Sequence, residues 1–281
     1  MVFALDIGEA SRLFPQYTFL AALTPSVQKA AFHVQDHSGQ DLCLKIISPE
    51  CDTQRVRREI DALLVLTHPN VGRLMEYTFS SSPGRSIHYL VEEFVAGTDL
   101  SVQLHGPWSV ARATVFFAKL CDGLAALQAK GLVHRDIKPS NIRVRPDDTP
   151  VLIDFGLVRH LRLPDLTNTE EGAAIGTPKY FAPEQARGTK HDVDHRTDIF
   201  ATGVLLYEAL VGQHPFYRGH MSLGQLYDAI CESRSCLQAT GFLALPSRLR
   251  TLVTRMLSEQ RIGRPAGAGQ VAAMLRAIGG F

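Results

Sequence analysis

The chain has 281 residues, 45% of them hydrophobic and 20% charged, with 29 Lys and Arg against 28 Asp and Glu for a formal net charge of +1. These values exclude a disordered chain and supply a sizeable core, in one large domain or two lobes. The near-zero charge argues against nucleic acid as a partner, which would call for clustered Lys and Arg. Cys43, Cys51, Cys121, Cys231 and Cys236 are scattered without a CxxC pair, which argues against a disulfide scaffold or zinc site and for a reducing compartment. The opening MVFALDIGEASRLF is not a secretory signal, and no apolar run approaches the ~18 residues of a membrane span. The expectation is a cytoplasmic protein with no membrane partner.

The first third alternates in the manner of strands. Phe19–Leu23 and Ala30–Val34 flank the turn Thr24-Pro25-Ser26, and Asp41–Ile47 follows Ser38-Gly39. Arg55–Leu66 places Val56, Ile60, Leu63 and Leu64 at helical spacing and stops before Pro69. Strand-like runs return at Arg73–Phe79 and Ile87–Phe94. Beyond Ala96-Gly97-Thr98, read as a hinge, the pattern turns helical. Ser109 predicts an N-cap, and Gly131 closes that helix. Ile142–Val144 and Val151–Ile153 flank Pro146-Asp147-Asp148-Thr149 as a hairpin. Asp198–Leu210, Leu249–Leu257 and Gln270–Ile278 carry further helical patterns, and Trp108 with Phe116-Phe117 reads as core.

Reactive residues gather in a few motifs. His134-Arg135-Asp136-Ile137-Lys138-Pro139-Ser140-Asn141 precedes the hairpin and Asp154-Phe155-Gly156 follows it. Gly176-Thr177-Pro178-Lys179-Tyr180-Phe181-Ala182-Pro183-Glu184 comes later, while Lys45 lies in a strand pattern and Glu59 in the next helix. Phosphoryl transfer requires held phosphates, metal to neutralise their charge and an aligned acceptor hydroxyl. Asn141 and Asp154, at the two edges of the hairpin, are oxygen ligands suited to Mg²⁺ or Mn²⁺. Asp136 would face the hydroxyl, Lys138 the transferring phosphate, and Lys45 the α/β-phosphates. Each part alone is a weak signal, since an isolated Lys–Glu pair is usually a solvated surface pair.

In this order and spacing the motifs resemble the Hanks-type, eukaryotic-like serine/threonine protein kinases, over about Tyr17 to Arg264. The resemblance implies an α+β, two-lobed protein kinase fold: a lead over 1–16, an antiparallel β N-lobe with one main helix over 17–96, and a mainly helical C-lobe over 97–281. It implies ATP and Mg²⁺, with Asp136 as base and Lys138 beside it. Asn141 and Asp154 would hold the metal, and Lys45 would pair with Glu59. Leu23, Ala31, Cys43, Glu93 and Val95 would surround the nucleotide. The partners would be proteins with Ser or Thr acceptors, together with self-association for trans-autophosphorylation. Thr167 and Thr169 are candidate phosphosites, which Arg135 would meet once modified, and Thr177 would bond within the substrate loop. Glu184 with Arg264, Asp198 under the loop, and His134 are implied to be structural.

Several positions depart from that pattern. The glycine-rich loop falls on Thr24, Ser26, Lys29 and Ala31, none of them Gly, and Pro25 stiffens the turn. Lys29 is either a replacement cation for the missing backbone donors or a solvated lysine. Arg143 would lay a charged stem under the purine with its head reaching outward. Glu92 takes a position normally apolar and is costly unless paired, with Lys45 or another base; otherwise the alignment slips by one residue. These departures leave open a pseudokinase that binds nucleotide or protein as a scaffold. A small-molecule kinase is disfavoured by the Gly-Thr-Pro to Ala-Pro-Glu segment. His191 and His195 with Asp192 and Asp194 offer a cation site without an evident third ligand, and the loop reading is preferred there.

Overall fold

Alternating apolar residues in the first third build an antiparallel sheet, and helices dominate the remainder of the chain. The computed structural model describes residues 5–24, 29–47, 57–82, 85–154, 178–232 and 235–281. The described residues divide by their contacts into two units, one up to His68 together with Gly72–Val95, the other Pro69–Val71, 96–154 and 178–281.

In the first unit β1 (Thr18–Ala22), β2 (Lys29–Gln35), β3 (Asp41–Ile47), β4 (Leu74–Ser82) and β5 (Arg85–Glu93) form one sheet in the order β1-β2-β3-β5-β4. Strand alternation sorts the two faces. Ala30, Phe32, Val34, Leu42, Leu44, Ile46, Tyr89 and Val91 join one buried cluster with Ala10 and Phe14. The residues between them, Ala31, Cys43, Lys45, Leu90 and Glu92, point to the opposite face. The stretch read as a lead contains a helix, α1 (Ile7–Leu13), N-capped by Asp6, which accepts from the Glu9 amide at 2.7 Å. It closes the sheet's first face, and Phe14 meets Tyr89 edge-on with ring centroids 4.9 Å apart. The helix expected over Arg55–Leu66 is described over Arg57–Leu64 (α2) and buries Ile60 and Leu63.

The second unit holds a small sheet of β6 (Thr98–Asp99), β7 (Ile142–Val144) and β8 (Pro150–Leu152), the last two being the expected hairpin. The long helix α3 (Val110–Ala129) begins at Ser109, whose hydroxyl accepts from the Arg112 amide at 3.2 Å as its cap. Trp108, Phe116 and Phe117 stack edge to face behind it, as core. Beyond the hairpin lie α4 (Pro183–Ala186), α5 (His195–Val211), α6 (Leu223–Glu232), α7 (Thr240–Leu243), α8 (Ser247–Met256) and α9 (Ala268–Gly279). Helix α5 is buried on nearly all sides from Thr197 to Leu210 and forms the spine of this unit. It ends at Gly212, left-handed at φ 75°, whose amide bonds the Glu208 carbonyl. Among the described residues no helix is long and apolar enough to cross a membrane.

Candidate active site

The loop from His134 to Asn141 is shaped by a buried carboxylate beneath it. Asp198, in the first turn of α5, accepts from the amides of His134 and Arg135, each at 2.8 Å. Burial pushes its carboxyl up to about 7, although these two donors and Arg135 pull the other way. Arg135 is held in the left-handed region at φ 62°, a conformation that costs about 1–3 kcal/mol and persists where surroundings enforce it. Gln185 on α4 adds to that enforcement by donating to the Arg135 carbonyl at 3.0 Å. The sequence reading missed this glutamine, whose signal was only its place directly after the Ala-Pro-Glu motif. The expected structural roles of Asp198 and His134 fit these contacts. His134 is buried, with Nε2 3.2 Å from the Ile153 carbonyl.

The loop then gathers three of the expected site residues. Asp136 Oδ2 stands 3.0 Å from Lys138 Nζ. The Asn141 amide donates to the same oxygen at 3.0 Å and to the Asp136 carbonyl at 2.8 Å. The side chains of Asp136 and Lys138 keep 15% and 23% exposure, so the carboxylate is oriented yet reachable. Asn141 ties to the hairpin where its carbonyl accepts from the Ile153 amide at 2.9 Å. Asp154 comes next in the chain, itself left-handed at φ 64°. With its NH₂ donating to Asp136, the Asn141 side chain presents its amide oxygen as acceptor. That oxygen and the Asp154 carboxylate are the hard donors a divalent cation takes. No cluster of three His, Cys, Asp or Glu able to hold a metal occurs among the described residues. His195 instead opens α5 and sits 2.9 Å from the Ala266 carbonyl.

Glu184 and Arg264 meet as expected, in a bidentate pair at 2.7 and 2.8 Å with side chains 5% and 0% exposed. The rest of the guanidinium donates to the carbonyls of Ser258, Arg196 and Glu259, and Thr197 donates to Glu184 at 2.7 Å. Burial would raise the Glu184 carboxyl, but Arg264 outweighs it and holds the group below its usual range.

In the first unit Ala31, Cys43 and Lys45, of the residues expected around the nucleotide, lie on one face of the sheet. Ala31 is opposite Lys45 in the β2–β3 register, and the Leu23 amide donates to the Ala31 carbonyl at 2.8 Å. Cys43 and Val95 are buried. The Glu93 amide donates to the Arg73 carbonyl at 2.8 Å, and its side chain lies on the other face from that of Glu92. Glu92 is directly opposite Cys43 and diagonal to Lys45 across β3–β5, and its carboxylate accepts from the Lys45 ammonium. One of the options left open by the sequence, a Glu92–Lys45 pair, is therefore realised. Burial acts to lower the Lys45 ammonium, yet the Glu92 carboxylate prevails and holds it above its ordinary value. Glu59 stands in the first turn of α2.

Arg143 is held within the second unit. Its guanidinium donates to Asp99 across the β6–β7 pair at 2.8 Å and to the Gly97 carbonyl. Gly97 sits at φ 133°, and a side chain there would run into the Val144 carbonyl, so the residue must be glycine. Asp99 was not singled out from sequence, since only strand pairing brings it to Arg143. Pro25, Ser26, Thr167, Thr169 and Thr177 lie outside the described residues.

The protein kinase domain family matches residues 27–274. The chain is 36% identical over 164 residues to serine/threonine-protein kinase PknB of Mycolicibacterium smegmatis, covering 58% of this chain and 26% of that protein. It is 35% identical over 196 residues to PkaA of Streptomyces coelicolor, covering 66% and 35%. With pkn2 of Myxococcus xanthus it shares 32% over 254 residues, covering 85% and 29%. The chain thus spans about a quarter to a third of the length of these relatives.

Proposed function

The chain belongs to the protein kinase domain family, and on that footing we propose that it transfers the γ-phosphoryl group of ATP to Ser or Thr hydroxyls of proteins. The observation that carries this reading is the convergence of Lys138 and Asn141 on one oxygen of a reachable Asp136. A carboxylate so oriented takes up the acceptor hydroxyl's proton as the oxygen attacks the γ-phosphorus and the bond to the bridging oxygen breaks, releasing ADP. The Lys138 ammonium, on the same loop, offsets negative charge that builds on the transferring group. Lys45 supplies a cation to the nucleotide phosphates. Asn141 and Asp154 would hold Mg²⁺ or Mn²⁺, which when bound neutralises phosphate charge. Asp198, Gln185 and the hairpin hold the backbone of the loop that carries Asp136.

The acceptors include the chain itself, in trans, at Thr167 and Thr169. A reducing, cytoplasmic setting fits Cys43, Cys121, Cys231 and Cys236, which form no disulfide. Intact-mass spectrometry after incubation with Mg-ATP, beside Asp136→Asn, tests the proposal. Phosphate on the parent chain alone is expected, with peptide mapping to Thr167 or Thr169. Absence of phosphate on the chain and on added protein acceptors, with nucleotide still bound, would replace it by the pseudokinase reading.

A further inference from the structure

The lysine proposed to meet the nucleotide phosphates is bound to a carboxylate carried by the sheet itself. Strands β3 and β5 pair without interruption from Leu42↔Glu93 to Ile47↔His88. Lys45 and Glu92 are diagonal neighbours on one face of that ladder, a spacing that long side chains bridge. Both are buried, at 6% and 7% exposure. A carboxylate brought into such a place costs several kcal/mol of desolvation unless a cation and hydrogen bonds compensate it. The sequence supplies an acid where an apolar residue would cost nothing, so the acid calls for a use.

We propose that Glu92 is a positioning residue for the nucleotide-binding reaction, holding the Lys45 ammonium in place from within the sheet. The inference rests on the proposed phosphate contact of Lys45. Lysine is a point charge on a flexible four-carbon stem, and fixing it in advance spares the entropy of ordering it when nucleotide arrives. A partner on a hydrogen-bonded neighbouring strand sets that position with the rigidity of the ladder. A partner on a short helix sets it only as firmly as the helix is docked. Glu92 therefore acts on nucleotide through Lys45.

Single and paired substitutions in the chain test this, read by titration of a fluorescent ATP analogue with Mg²⁺ and by KM and kcat. Glu92→Gln keeps the size and removes the charge. It is expected to raise the nucleotide Kd and the KM for ATP by at least about tenfold, the scale on which coupled charges interact, with a smaller change in kcat. In a Lys45→Met background, Glu92→Leu is expected to leave Kd where Lys45→Met alone puts it, because its route to the nucleotide is gone. Should Glu92→Gln fail to fold, Lys45→Met with Glu92→Leu is compared with Lys45→Met with Glu92→Gln, two chains in which no charge is buried alone and in which equal Kd values are expected. An unchanged or tighter Kd in Glu92→Gln would overturn the proposal. So would a further loss from Glu92→Leu in the Lys45→Met chain. A parent chain that binds no nucleotide would instead sink the kinase reading itself.

Discussion

Two buried acid–base pairs, one in each unit, look alike by burial and differ in chemistry. In Glu184–Arg264 all five guanidinium N–H groups are matched, two by the carboxylate and three by backbone carbonyls, and Thr197 completes the acid. A planar, permanently charged fork saturated in this way has nowhere else to turn. Lys45–Glu92 joins two strands through a flexible ammonium, a group that can face a carboxylate and a phosphate from nearly the same place. Depth of burial therefore does not separate a saturated architectural pair from one proposed to work on nucleotide. The geometry of the cation does.

The widest separation between chemistry and architecture is expected at Asp136. Asp136→Asn should lower kcat by about 10²–10⁴-fold, the usual contribution of a positioned base, while its urea midpoint stays at the parent value. A matching fall in stability would make Asp136 part of the scaffold and remove it from the proposed chemistry. Arg264→Met should do the reverse in the folded protein, costing about 3–5 kcal/mol by stranding a buried carboxylate. Urea unfolding measures that cost. The double change Arg264→Met with Glu184→Leu should recover much of it, and a single mutant costing under about 1 kcal/mol would contradict the saturated-fork argument.

The pH dependence of stability sharpens the contrast, because two buried acids of the second unit shift in opposite directions. The Asp198 carboxyl, raised by burial to about 7, binds its proton more tightly folded than unfolded. Its contribution is present below the ordinary aspartate range and is lost as pH rises through about 7. Glu184, lowered against burial by Arg264, contributes above the ordinary glutamate range, and that contribution is lost as pH falls through its depressed value. Urea unfolding from pH 5 to 8 should show the parent losing stability relative to Asp198→Asn as pH rises. Glu184→Gln should keep a constant deficit over the same interval and converge on the parent only in acid. A flat difference for Asp198→Asn would mean that its two amide donors hold it ionised throughout.

Much of this was legible in the sequence because the residues concerned are neighbours in the chain. Asp136, Lys138 and Asn141 fall on one loop, and Asp154 comes directly after the hairpin that Asn141 opens. The hairpin and Ser109 cap likewise announce themselves through turn and cap residues. What sequence left open depends on pairing between distant strands. Whether Glu92 meets Lys45 or faces away is decided by a register that sets Cys43 opposite Glu92, and a slip of one residue would reverse it. Helix α1 escaped notice because seven residues carry little periodicity of their own. Its Ala10 and the adjoining Phe14 acquire meaning only against the sheet. Asp99 was silent for the same reason, since a two-residue strand gives no pattern to read.

Arg143 provides the gentlest test of the distinction. Its pair with Asp99 is half-open, with side chains 23% and 39% exposed, and pairs of that kind contribute about 0–1 kcal/mol. Arg143→Leu keeps the apolar stem and removes the head, so it should lower the melting temperature by no more than about 2–4 °C. Arg143→Lys keeps the charge and removes the fork that reaches Asp99 and the Gly97 carbonyl together. If the fork matters, Lys should behave as Leu does in the melt; if charge alone matters, Lys should match the parent. In either case the nucleotide Kd should move less than it does in Glu92→Gln. Glu92 bears on a buried ammonium proposed to meet the phosphates, whereas the head of Arg143 is engaged by the backbone and an acid beside it. A larger effect at Arg143 would shift the weight of nucleotide recognition from the lysine's placement to Arg143 itself.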